Sequence, residues 1–128
     1  MASNIGASIR ADGVCRGFLW KAVDNVKVYE YCILLGITLT TYTDPLAYFR
    51  GDYPTAIYRI VGASSMNAAH DSQHLQFRMV TFQGTHIYCT APARSDCLVW
   101  LEALQAGLEA NMNDSRPNND TIKTWKPP

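Results

Sequence analysis

β-branched and aromatic residues crowd the chain from Cys15 onward: Phe18, Trp20, Val28, Tyr29, Tyr31, Ile33, Leu34, Ile37, Leu39 and Tyr42 fall within one short stretch. Such side chains suit a pleated, half-buried surface, so the stretch predicts strands. Residues 17–22 form a first strand and residues 27–35 a second, with Asp24-Asn25 supplying the turn between them. Gly36 breaks the run, and a third strand covers 37–42. Pro45, Gly51 and Pro54 mark residues 43–54 as a loop. A fourth strand spans 56–61, and the small, polar stretch 62–71 holds a short fifth. Leu75, Phe77, Met79 and Thr81 alternate with Gln76, Arg78, Val80 and Phe82 as a sixth. Gln83-Gly84 turns the chain into a seventh strand over 85–90, completing an antiparallel meander.

The last element changes period. Ser95 is placed to cap a helix, and Asp96 suits the positive end of its dipole. Cys97, Trp100, Leu101, Leu104 and Leu108 recur at helical spacing, while Arg94, Glu102, Gln105 and Glu109 are left for solvent. Residues 1–13 are small and polar and read as a flexible lead-in. Residues 111–128, which include Trp125, read as a polar tail or a linker to a further domain. The folded unit is therefore expected over 14–110. Seven strands and one amphipathic helix pack well as two nearly orthogonal antiparallel sheets, a bent sandwich or barrel. The terminal helix closes the open corner, with Trp100 as its central apolar piece.

Composition narrows the function more than the fold. A length of 128 residues suits one domain. Eleven basic and eleven acidic residues cancel, which excludes a general nucleic-acid binder but not a local basic patch. Cys15, Cys32, Cys89 and Cys97 are widely spaced among apolar residues, as expected of reduced core thiols in a cytoplasmic protein. No apolar run is long enough to cross a bilayer, so membrane contact is expected to be peripheral. His70 and His74 share i, i+4 spacing, but their segment is a poor helix former and offers no third ligand, so no metal site is expected. Cys89 or Cys97 with His86 lacks the local signature of a nucleophilic pair. No phosphate-binding glycine loop and no carboxylate pair stand out, so neither cofactor nor catalysis is expected of this domain, whatever a parent protein carries elsewhere.

Several segments resemble a pleckstrin-homology domain over roughly residues 14–110. Gly17-Phe18-Leu19-Trp20-Lys21 resembles that family's first strand, Tyr31-Cys32-Ile33-Leu34 its second-strand ending, and Leu39-Thr40-Thr41-Tyr42 its third strand. Phe77-Arg78-Met79-Val80-Thr81 and Ile87-Tyr88-Cys89-Thr90 are similar to its last two strands, and Trp100 to its helix tryptophan. The resemblance implies a seven-stranded sandwich capped by a helix, serving as a signalling or recruitment module. Members that hold phosphoinositides take their charge from the first two strands and the loop joining them. Here Lys21 matches the first lysine of that motif. Val28 and Glu30 occupy the strand-two basic positions, Lys27 is one residue out of register, and the joining loop is short and contains Asp24.

A phosphorylated headgroup needs converging cationic donors, and a one-residue slip turns a strand side chain to the other face. The expected activity is therefore an adaptor that binds a protein partner, with at most weak affinity for anionic lipid through Lys21, Lys27, Arg16 and Arg50. The alternative is a phosphoinositide-binding, membrane-targeting domain centred on Lys21. For a protein partner, the 43–54 loop offers Tyr48, Phe49, Arg50 and Tyr53, residue types enriched at interface hot spots. The same aromatics would serve equally to cover a sheet edge.

Overall fold

The computed structural model describes residues 8–9, 14–66 and 75–115. His70, His74, Trp125 and most of the expected lead-in and tail lie outside those residues. A two-residue strand, β1 (Ser8–Ile9), pairs with β2 (Val14–Val23), which pairs along its length with β3 (Val26–Leu35). Asp24 and Asn25 make the two-residue turn between them, both at positive φ, as the twist of a tight hairpin requires. The meander continues through β4 (Thr38–Tyr42), β5 (Ala56–Ser65), β6 (Gln76–Thr81) and β7 (His86–Thr90). β7 then returns to β2 at Trp20, Lys21 and Ala22, so β2 to β7 close into a ring.

Seven strands are present, but not the expected seven. The fourth and fifth expected strands are one strand, β5, which pairs with β4 through Arg59 and with β6 from Ile60 onward. A register shift between Ile60 and Gly62 lets β5 turn the corner from one sheet to the other. Such bulges bend a strand without ending it, which is why Gly62 looked like a terminator in sequence. The seventh strand is β1, drawn from the segment read as lead-in.

The expected loop over 43–54 contains a short helix, α1 (Pro45–Arg50). Asp44 caps it by accepting the Ala47 amide at 2.9 Å, Pro45 fills the first turn, and Gly51 ends it at φ 78°. The terminal helix, α2 (Arg94–Ser115), starts one residue before the expected cap and runs five past residue 110. Its first backbone bond is Cys97 N to Ala93 O, so Ser95 lies inside the first turn.

The core gathers inward-facing residues of the ring and one stripe of α2. Leu19, Leu34, Leu39, Ile60, Phe77, Met79 and Ile87 meet Cys97, Trp100 and Leu104, all buried. Strand alternation places them there: β6 and β7 bury every second residue. All four cysteines are free and buried. Burial, with the Asp96 charge adding to it, pushes the Cys15 thiol up to about 12. Burial likewise pushes Cys32 up to about 12 and raises Cys89. These are inert core groups.

Trp100 is fully buried, so Trp100→Ala should cost about 3–5 kcal/mol and lower the melting temperature sharply. A melt matching wild type would refute the plug. Gly107 is a second pin between α2 and the ring, because a Cβ there would overlap the Gly36 carbonyl in the β3–β4 turn. Gly107→Ala should therefore destabilise by about 1–3 kcal/mol in chemical denaturation, despite alanine's better helix propensity.

Candidate functional site

Along β2, odd-numbered residues face the ring interior and even-numbered ones face out: Cys15, Gly17, Leu19 and Lys21 are buried. Lys21 is only 5% exposed, with Nζ 3.0 Å from Glu30 Oε1. The same ammonium donates to the Tyr58 hydroxyl on β5 at 3.3 Å and lies 5.0 Å from that ring's centre. Register explains the pair. Lys21 stands opposite Val28, so Glu30 is its diagonal neighbour on the inner face of β3. Burial by itself lowers the lysine pKa. Hydrogen bonds to Glu30 and Tyr58, with their charges, outweigh it and hold the value above an ordinary lysine's.

This geometry places Lys21, expected as the centre of a headgroup site, inside the ring and against Glu30. The residue is an internal cation already neutralised, and Glu30 is its partner rather than a repelling surface charge. Beside the β2–β3 turn lies a hollow of about 500 Å³, lined by Asp24, Asn25, Gln83, Gly84, His86 and Tyr88 among others. No lysine or arginine lines it. Arg50 sits at the end of α1 in an exposed pair with Asp52 at 2.5 Å, and Arg16 and Lys27 project from the outer face of β2 and β3. Of the four expected lipid-binding cations, Lys21 thus lies inside the ring, and Arg16 and Lys27 stand at opposite ends of the outer hairpin face.

The outer face holds what the sequence reading passed over. Phe18 stacks on Tyr29 with centroids 5.0 Å apart and meets Tyr31 edge-on at 5.5 Å. Trp20 packs on Tyr29 at 5.0 Å, and the Lys27 ammonium stands 5.4 Å from the Trp20 ring centre. Trp20 and Tyr29 remain 42% and 41% exposed. At the other end, the Arg16 guanidinium lies 5.7 Å from the ring centre of Tyr48 on α1. A groove of about 530 Å³ runs there between Arg16, Ile33, Leu35, Thr40, Tyr42 and Tyr48.

The aromatics of residues 43–54 differ in exposure. Tyr48 folds back, edge-on to Tyr42 at 5.4 Å, and shares the groove lining with Ile33; Tyr31 and Ile33 are buried although they face outward. Phe49, at 68%, and Tyr53, at 96%, are exposed. The pair Cys89 and His86 is split by strand alternation, one facing in and the other out. The signal for the outer row was present in β2, where both parities are apolar: Phe18 and Trp20 alternate with Gly17 and Leu19. One parity had to be the core, and the other is the surface.

No protein-family model matches this chain, and no curated protein matches it either. Solved structures do. The pleckstrin-homology domain of human oxysterol binding protein-related protein 11 superposes with TM-score 0.65 at 18% identity, over 80% of this chain and 85% of that one. The pleckstrin-homology domain of ArhGAP27 gives 0.56 at 16%, over 74% and 98%. The C-terminal domain of pleckstrin, in complex with an inositol pentaphosphate, gives 0.54 at 17%, over 72% and 94%. At such identities the likeness establishes the fold, a ring of antiparallel strands closed by a C-terminal helix, and nothing finer.

The Lys21–Glu30 pair makes its own test. Lys21→Ala leaves Glu30 buried and alone, and should cost about 3–5 kcal/mol in denaturant melts, whereas Lys21→Met with Glu30→Leu should stay close to wild type. Because the folded pKa of Lys21 is raised, the pair's contribution is complete below the ordinary lysine value of 10.5 and is lost as pH rises through the higher folded value. Wild-type stability should thus fall more steeply than the double variant's above 10.5. Parallel curves would show that the pair does not hold the fold.

Proposed function

We propose that this chain, which has the pleckstrin-homology fold, is a non-catalytic recruitment module that docks a protein partner on the outer face of β2 and β3. The observation that carries the reading is the exposed row of Phe18, Tyr29 and Trp20 bracketed by Arg16 and Lys27. Half-exposed aromatics beside arginine are the residue types that dominate protein interfaces, where a rigid ring buries much area at little entropic cost. Phe49, exposed and 5.2 Å from Tyr48, extends the same kind of surface at the Arg16 end.

A headgroup-reading function has less support. The hollow beside the β2–β3 turn has an aspartate and no cation in its lining. Among the described residues no helix is long and apolar enough to cross a membrane. What favours an anionic surface is the unpaired charge of Arg16 and Lys27. A basic residue near such a surface gains about 1 kcal/mol, so two give only marginal attraction.

Two measurements test the reading together. In sedimentation at physiological salt, phosphoinositide vesicles should capture no more protein than phosphatidylserine vesicles. Strong phosphoinositide-selective capture would overturn the proposal. A photo-crosslinking amino acid at position 29 should trap a protein that, once identified and purified, rebinds wild type and loses that binding with Trp20→Ala. The same probe at position 83, in the turn hollow, should trap nothing, and equal trapping at both positions would remove the outer face as the site.

A further inference from the structure

The outer face of β2, β3 and β4 presents Arg16 and Lys27 and no carboxylate. The only acid these strands carry, Glu30, is turned inward against Lys21. Among the described residues neither Arg16 nor Lys27 has an ionic partner, and their charges rest only on aromatic rings. Arg16 shows this most sharply: its Nε is buried and lacks any hydrogen-bond partner. An arginine donor withdrawn from water without an acceptor is costly, and a carboxylate in the groove would offset that cost by a charge-assisted contact with the rest of the same guanidinium.

The spacing of the two cations says more. Arg16 stands opposite Ile33 and Ala22 opposite Lys27, so the cations lie six residues apart along the hairpin. At about 3.3 Å per residue this is roughly 20 Å. Phe18, Tyr29 and Trp20 fill the interval as a continuous ladder of rings. A single phosphorylated headgroup cannot reach both ends, but an extended peptide of about seven residues can.

We infer that the partner segment recognised by this face is an extended peptide with two carboxylates about six residues apart, bracketing apolar residues. One carboxylate binds Arg16 in the groove against Tyr48, the apolar residues lie across Phe18, Tyr29 and Trp20, and the second carboxylate meets Lys27. The inference rests on the protein-docking reading above and gives that surface its partner chemistry.

The test uses the full chain and a fluorescein-labelled peptide, Glu-Pro-Leu-Val-Pro-Leu-Glu, followed by fluorescence anisotropy at low and physiological salt. Controls are the same peptide with Gln at both ends and one with the two Glu adjacent. The first peptide should bind, more weakly as salt rises; the adjacent-Glu control should bind about tenfold less and the Gln-ended control about a hundredfold less. Arg16→Gln and Lys27→Gln should each weaken the first peptide about tenfold while leaving its Gln-ended control unchanged. Lys27 is exposed, so the melting temperature of Lys27→Gln should match wild type, and Arg16→Gln should melt in the same single cooperative transition. Equal binding of all three peptides, or no loss in either variant, overturns the inference. Preferential capture by phosphatidylserine vesicles with no peptide binding would also overturn it, assigning the cations to a membrane. A purified partner that still crosslinks at position 29 while every peptide fails would leave the docking face intact and remove only the acidic-peptide assignment.

Discussion

The ion pair of Lys21 and Glu30 sets which way β2 and β3 face. A strand has two parities, and a slip of one residue exchanges them. With Lys21 inside, Cys15, Gly17 and Leu19 are inside, and Arg16, Phe18 and Trp20 are outside. A lysine cannot be buried alone, so Glu30 must share the inner face, which fixes β3 against β2 at the observed register. Tyr58 then ties the pair to β5 across the ring. Well-packed apolar residues could match such a pair in net stability. What they could not supply is the hydrogen bond that ties the hairpin to Tyr58 on β5.

Much of the fold was legible because its signals are local. Asp24-Asn25 and Gln83-Gly84 mark their turns by residue type, β6 and β7 alternate cleanly, and the α2 stripe repeats at helical spacing around Trp100. The misread elements are those in which one residue had two physical meanings. Gly62 ends a strand or eases a bulge, and here the continued pairing of β5 with β6 decides for the bulge. Pro45 and Gly51 punctuate a loop or bound a helix, and Asp44 accepting the Ala47 amide makes them bounds.

The site was less legible, for a related reason. Residue type made Lys21 look like a surface cation, and only register could reveal an acid diagonal to it inside the ring. The aromatic row was hidden by the richness of β2 itself. When both parities of a strand are apolar, hydrophobicity does not say which is the core, and charge does not say it either, because each parity of β2 carries one cation, Arg16 outside and Lys21 inside. Tyr31 and Ile33 blurred the pattern further, being buried on the outer face, with Phe18 edge-on against Tyr31.

Charge balance and charge placement also part company here. The chain as a whole is neutral, which speaks against any partner held by bulk electrostatics. Yet folding turns Glu30 inward and Arg16 and Lys27 outward, with Asp24 left in the turn, so the outer face of the strands β2 and β3 is positive on a neutral protein. The rings between those cations are rigid and already stacked on one another, so little conformational freedom is lost when a ligand covers them. A surface of this kind holds its ligand through a few aligned contacts rather than through a field. It follows that the pair that buries Lys21 also shapes the surface: by neutralising one cation inside, Glu30 leaves the outer cations without an internal competitor for an incoming carboxylate.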